Sequence, residues 1–283
     1  MTSRSCALLV SAFFLLGLTI GGAGQADQER RPHWLSRFGA KWVTMEIAGH
    51  EAFVLLPEKP RSEPAKPWVW YAPVFTEKNP DDAQVWLFRR LLDEGFAIAG
   101  VDVGESYGNP EGRKIYTAFY NILVNTRGYS PKPCLLPQSR GGLMAYNWAA
   151  EHPQSVQCIG GIYPVCDLRS YPGLARASAA YGMTAEELSN HLAEHNPIDR
   201  LQGLAEAGVP ILHLHGDADK VVPLEANSLE LAKRYRARGG KIELEIVPGK
   251  GHAEIPEFFE SERLLRFFVS VGGSRESAPL RRR

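Results

Sequence analysis

Three side chains of this 283-residue chain could together do acyl-transfer chemistry: a serine at 139, an aspartate at 219 and a histidine at 252. Ser139 ends the apolar run of L-L-P-Q-S-R-G-G (135–142) and is followed at once by Arg140, Gly141 and Gly142. A hydroxyl is a poor nucleophile until a base takes its proton, and an imidazole serves best when a carboxylate holds its tautomer and stabilises its charged form. HLHGDADKVVP (213–223) offers Asp217 and Asp219 just past one apolar run, and PGKGH (248–252) offers His252 just past another. Taken alone, a serine before glycines reads equally well as a helix N-cap. The order serine, acid, histidine, each directly after a different predicted strand, favours a nucleophile held on a tight strand-to-helix turn.

The elements that must position these residues follow from the hydrophobic pattern. KWVTMEIAGHEAFVLLP (41–57) contains two β-type runs around a turn at Gly49, an antiparallel start. Strands and helices then alternate. WVWYAPVF (68–75) is a strand, DDAQVWLFRRLLDEG (81–95) a helix, FAIAGVDV (96–103) a strand and EGRKIYTAFYNILVNTRG (111–128) a helix. PCLLPQS (133–139) runs into a helix from Gly141, and CIGGIYPV (158–165) precedes an irregular, partly helical stretch to about Leu204. VPILHLHG (209–216), a helix over 224–240, KIELEIVPG (241–249) and a helix near 254–271 complete the series. Such alternation builds a mostly parallel sheet with helices on both faces, and ligands of such sheets bind beyond the carboxyl ends of the strands. Ser139, Asp219 and His252 all fall at those ends.

The segments P-Q-S-R-G-G, H-G-D-A-D-K-V-V-P and G-K-G-H resemble those of α/β-hydrolases, closest to the prolyl-oligopeptidase-like and dienelactone-hydrolase-like branches, and the resemblance extends from about Trp42 to Phe268. It implies an α/β-hydrolase fold and a triad of Ser139, His252 and Asp219, with Asp217 as a loop-stabilising residue and Asp167 as the rival acid. Glu225 reads as a first-turn acid of the following helix. The family's elbow has glycine two places before the serine, where this chain has Pro137, so a somewhat different local packing is expected. The resemblance also implies an oxyanion hole with the backbone N–H of Arg140 as one donor. The other would be Val74 or Phe75, of which Phe75 is preferred; Pro73 has no N–H to give. Expected pocket residues are Val74, Glu105, Tyr107 and Tyr163. The Arg140 side chain reads either as a group for an acidic or sugar substrate, as the S-R pairing in glucuronoyl esterases hints, or as the partner of a neighbouring acid.

The implied activity is that of a secreted serine hydrolase acting on a small-molecule or carbohydrate carboxylic ester, with no metal or organic cofactor. Two alternatives stand beside it. One is a serine peptidase of prolyl-oligopeptidase type, against which the chain has no room for the N-terminal propeller that those enzymes use. The other is a non-catalytic binding protein of the same fold. His213 and His215 alternate on one strand face without a third ligand nearby in sequence, which favours structural residues behind the acid loop over a metal site.

Composition bounds the rest. With 44% hydrophobic and 23% charged residues the chain can bury one sizeable core, and 32 basic against 32 acidic side chains leave no net field to attract nucleic acid. Arg4, an apolar stretch from Cys6 to Ala23 and small residues around Ala26 follow the order of a signal peptide, 1–26, whose alternative is an uncleaved anchor. Cys6 stands at the start of the apolar stretch and not after it, so no cysteine is placed where a lipoprotein would need one. The chain is thus expected to be secreted or periplasmic, without stable membrane insertion after leader removal; its oligomeric state is not legible. The domain reading is an N-terminal extension (27–40), a catalytic domain (41–272) with a small cap insertion (166–200), and a flexible basic tail (273–283). Cys134, Cys158 and Cys166 read as core residues, with a pairing that involves Cys166 available in an oxidising compartment.

Overall fold

The computed structural model describes residues 34–61 and 65–272; the expected leader and basic tail lie outside the described residues. Eight strands form one sheet: β1 (Lys41–Ile47), β2 (His50–Leu56), β3 (Trp68–Ala72), β4 (Ala97–Val101), β5 (Cys134–Pro137), β6 (Cys158–Ile162), β7 (Ile211–Gly216) and β8 (Ile242–Val247). Their order is β1-β2-β4-β3-β5-β6-β7-β8. The β1–β2 and β2–β4 pairs are antiparallel and all others parallel. This is the mostly parallel sheet that the pattern predicts, in the α/β-hydrolase architecture that the resemblance implies.

Strands β3 to β7 are buried along their whole length, the burial that helices on both faces impose. Alternate residues of β3 show the two layers. Trp68, Trp70 and Ala72 pack with α2 (Pro110–Asn121), α3 (Gly141–Glu151), α7 (Gln202–Glu206) and α8 (Glu230–Ala237), whereas Val69 and Tyr71 pack with α1 (Val85–Asp93), α9 (Pro256–Phe259) and α10 (Glu262–Gly272). The second layer also takes in a 3₁₀ turn, Trp34–Phe38, whose Trp34, Leu35 and Phe38 are buried. The end of the segment read as an extension is thus part of the core. Its apolar residues are too few to carry a period, so the sequence pattern alone starts the domain at 41.

Between β6 and β7 the expected cap is a set of short helices, α4 (Leu174–Tyr181), α5 (Ala185–Asn190) and α6 (Leu192–His195). Ala177 and Leu188 from these helices pack with Leu168, Tyr107, Leu143, Val165 and Val222, seating the cap at the carboxyl end of the sheet. Cys134, Cys158 and Cys166 are all free and buried. Cys134 and Cys158 are register partners on β5 and β6, and burial, with Cys134 beside it, pushes the Cys158 thiol pKa up. Among the described residues no helix is long and apolar enough to cross a membrane.

Candidate active site

The turn at Ser139 is built from both neighbours of its strand. The Gln138 amide donates to Ala72 O (2.7 Å), the Ser139 amide to Ile162 O (3.0 Å), and Ser139 O in turn accepts from Val165 N (2.8 Å) and Gly142 N (2.9 Å). These bonds hold Ser139 at φ 49°, the left-handed region that costs a non-glycine residue energy and persists where the surroundings fix it. Both glycines are required by contact. A Cβ on Gly141 would stand 2.1 Å from Ala72 O, and one on Gly142 2.3 Å from Val165 O. Pro137 lies in register opposite Ala72, so the elbow forms although the usual glycine two places before the serine is absent.

Gln138 is buried and has a structural task that the sequence reading missed. Its Oε1 accepts from Tyr71 OH (2.6 Å) and Gln84 Nε2 (2.7 Å), and its Nε2 donates to Glu254 Oε1 (3.2 Å), two residues past His252. The polar side chain before the serine therefore ties the elbow to the histidine loop. Its only sequence signal is a glutamine placed where an apolar residue would continue the strand.

The structure brings Ser139, His252 and Asp219 into one hydrogen-bonded row. Ser139 Oγ lies 2.9 Å from His252 Nε2, and His252 Nδ1 lies 2.8 Å from Asp219 Oδ2. A carboxylate only accepts, so His252 carries its proton on Nδ1 and turns the Nε2 lone pair to the serine hydroxyl. The Asp219 side chain is fully buried, and its Oδ1 accepts from the amides of Val221 (2.9 Å) and Val222 (2.8 Å). Burial alone would raise the Asp219 pKa, but the His215 imidazole beside it and hydrogen bonds from His252 and the Val222 amide outweigh it and hold the carboxyl well below the usual carboxylate range. Asp217 acts as the loop-stabilising residue expected: its Oδ1 accepts from Gly249 N (2.6 Å), and Ala218 N reaches Lys250 O (3.0 Å), joining the acid loop to the histidine loop. Tyr163 lays its ring 4.2 Å from the imidazole, centroid to centroid.

The other candidates divide. Asp167 is engaged by Arg169 (2.9 Å) and Asn196 (3.1 Å), and Glu225 stands in the first turn of the helix that follows the acid loop. His213 and His215 are buried and hydrogen-bonded to Ser228, as structural residues behind the acid loop should be.

A cleft of about 860 Å³ opens at the serine and is lined by Phe75, Lys78, Asn79, Glu105, Gln138, Arg140, Tyr163 and Glu254, among others. Glu105 pairs with the Arg140 guanidinium, which also faces the rings of Phe75 (5.6 Å) and Tyr171 (6.0 Å). Of the two readings of Arg140, the structure displays the internal ion pair. Tyr163 borders the cleft at 1% exposure. Asp102, not singled out by the sequence, binds the amide of Thr76 through Oδ2 and that of Gly104 through Oδ1, each at 2.8 Å.

Three expected residues are corrected. The Phe75 amide, preferred as second oxyanion donor, donates to Asn79 O (2.9 Å), because residues 75–79 close a turn on themselves. Val74, its alternative and an expected pocket residue, is buried in the core layer of α1, does not border the cleft, and bridges to Asp102. Tyr107 is buried against the cap, where its backbone oxygen accepts from Tyr181 OH (2.8 Å), and it does not border the cleft either. Each stands in the chain that follows a strand, but a turn takes up Phe75, the core takes up Val74 and the cap takes up Tyr107. The Arg140 amide meets no backbone acceptor among the described residues.

Comparison with known proteins gives the same outline. The sequence profile of the prolyl oligopeptidase family matches residues 133–273. The fold is similar to that of a puromycin-hydrolyzing peptidase of Mycobacterium tuberculosis, at 16% identity and a TM-score of 0.63, with 86% of this chain superposed on 41% of that one. It is also similar to Est1E from Butyrivibrio proteoclasticus, at 17% identity and a TM-score of 0.60, with 82% of this chain on 99% of that one. Fifty residues are 44% identical to part of a Synechocystis protein named for a non-heme chloroperoxidase, 18% of this chain and 17% of that one. The chain spans less than half of the mycobacterial peptidase and less than a fifth of the Synechocystis protein. At these identities the structural likeness carries the fold.

Proposed function

We propose that the chain, whose residues 133–273 match the prolyl oligopeptidase family and whose fold is that of the α/β-hydrolases, is a serine hydrolase cleaving a carboxylic ester through an acyl-enzyme. The observation that carries the reading is the row Ser139–His252–Asp219, closed at 2.9 and 2.8 Å on a fully buried acid. Ser139 Oγ attacks the ester carbonyl while its proton passes to His252 Nε2, and Asp219 stabilises the imidazolium through Nδ1. His252 returns the proton to the leaving alcohol, then takes one from water to open the acyl-enzyme and free the serine. The Arg140 amide stabilises the oxyanion.

An ester is favoured over an amide by the oxyanion donors. With the Phe75 amide spent on Asn79, Arg140 supplies the one free backbone N–H of the expected pair, and a missing donor costs about 10²–10³ in rate. Esters, more reactive than amides, tolerate that loss better. Est1E, which the chain matches along nearly its whole length, has been solved with ferulic acid bound, which supports testing aromatic acyl esters.

The test is fluorophosphonate labelling of the folded protein, mapped by mass spectrometry, beside turnover of acyl nitrophenyl esters and peptide anilides. Labelling at Ser139 with ester turnover is expected. Anilide turnover without ester turnover would move the assignment to a peptidase, and absence of labelling would replace it by a binding protein. We also propose export through the leader at 1–26; the N-terminal sequence of protein recovered outside the cytoplasm tests it.

A further inference from the structure

The polar groups behind Asp219 form a chain whose direction can be worked out. Tyr146 OH lies 2.6 Å from His213 Nε2, His213 Nδ1 lies 2.9 Å from Ser228 Oγ, and Ser228 Oγ lies 2.8 Å from His215 Nδ1. His215 Nε2 lies 2.8 Å from Val222 O and 3.5 Å from Asp219 Oδ2. All four side chains are buried, and Ser228 is presented by a π-helical turn, Glu225–Leu229.

A carbonyl and a carboxylate only accept, so His215 bears a hydrogen on Nε2. If His215 is neutral, its Nδ1 accepts from the Ser228 hydroxyl. That hydroxyl has one hydrogen, so His213 must donate to it from Nδ1 and accept from Tyr146 at Nε2. In the reverse direction His215 would be a buried cation, and the Tyr146 hydroxyl hydrogen would have no acceptor among the described residues, a costly arrangement in a dry interior. One direction satisfies every proton: Tyr146 to His213 to Ser228 to His215 to the Val222 carbonyl.

We propose that Tyr146, His213, Ser228 and His215 are positioning residues, a one-way hydrogen-bond relay that ends on the Val222 carbonyl with the His215 nitrogen 3.5 Å from Asp219 Oδ2, and so holds the acid loop and the carboxylate that orients the catalytic histidine. This rests on the catalytic reading of Ser139, His252 and Asp219. The relay begins on α3, the helix that starts just after Ser139, and ends on the acid loop. It thus links the elements carrying nucleophile and acid through the core as well as through His252. Tyr146 and Ser228 lie outside the motifs of the sequence, and only the fold brings them to the histidines.

Two measurements on the full chain test the relay. Long-range ¹H–¹⁵N spectra of ¹⁵N-histidine protein, assigned with H213Q and H215Q, should show His213 as the Nδ1–H tautomer and His215 as the Nε2–H tautomer at neutral pH. The opposite tautomer at either residue, or a charged His215, overturns the proposal. In ester turnover, S228A should lower kcat about tenfold with KM unchanged, the effect of one lost buried hydrogen bond, and S228T, which keeps the hydroxyl, should restore most of it. A kcat for folded S228A within twofold of wild type, or an equal loss in S228T, overturns the relay. Should S228A fail to fold, the wild-type tautomers decide. Lack of fluorophosphonate labelling in folded wild type would instead remove the catalytic reading, whatever tautomers the spectra show.

Discussion

Replacing Asp219 by asparagine tests the site most directly, because the structure dictates how the new amide must sit. Asp219 Oδ1 accepts from two backbone amides, Val221 and Val222, so the asparagine oxygen is drawn there and its NH₂ takes the place of Oδ2. That NH₂ then faces His252 Nδ1, now 2.8 Å from a carboxylate oxygen. Two donors cannot share this contact, so the imidazole must move its hydrogen to Nε2. Ser139 Oγ, 2.9 Å away, then meets an N–H instead of a lone pair and loses its base. Wrong-tautomer substitution in a serine–histidine–aspartate triad costs about 10⁴ in kcat, about 5.4 kcal/mol of barrier at 1.36 kcal/mol per tenfold. The assay is release of nitrophenolate from an acyl nitrophenyl ester at neutral pH, with the fluorophosphonate labelling rate as a second readout and circular dichroism to confirm folding. D219N that keeps more than a tenth of wild-type kcat would refute this reasoning. So would D167N, at the acid held by Arg169 and Asn196, if it matched the loss.

Three further outcomes follow from packing and charge. G141A should lose at least about 3 kcal/mol in urea unfolding, since its methyl would meet backbone at Ala72 O; G128A, at φ 70° with nothing within 4 Å, should lose only about 1–2 kcal/mol. Q138L should destabilise by roughly 1–3 kcal/mol and lower kcat, because Gln84 and Glu254 each lose a partner at the elbow. Burial, with His215 beside it, lowers the His213 pKa to about 3. An unfolded histidine binds its proton near pH 6.5. Between these values the unfolded state holds the extra proton, so stability should fall on acidification by up to about 1.4 kcal/mol per pH unit. H213N should flatten that slope in unfolding curves at pH 7, 5 and 4. The depressed Asp219 carboxyl acts with the same sign at lower pH: its contribution is present above about pH 3.9 and is lost as pH falls toward the folded value.

Much of this was legible because it depends on local pattern. The alternation of strand and helix names the sheet, and Ser139, Asp219 and His252 each sit one turn past a strand, where a parallel sheet gathers its carboxyl ends. What escaped was whatever depends on which loop meets which. Phe75 stands where an oxyanion donor belongs, yet its amide is consumed four residues on by Asn79, a turn that no residue type announces. Tyr107 sits in a turn-rich loop that reads as pocket wall, and the cap covers it. Gln138 and Ser228 are ordinary polar residues by type; only long-range contacts with Glu254, 116 positions away, and with His213 and His215 give them meaning.

The position of Asp102 has a consequence for what the cleft can become. Each of its oxygens holds one amide, Thr76 on one side and Gly104 on the other, so the two loops that border the serine are pegged to a single residue at the end of β4. The mouth is gauged by the span of one carboxylate. A longer loop on either side can bulge outward but cannot change the gap at its root without giving up a charge-assisted bond. Variation in substrate size should therefore enter through the loop tips and the cap, while the width beside the nucleophile stays constant.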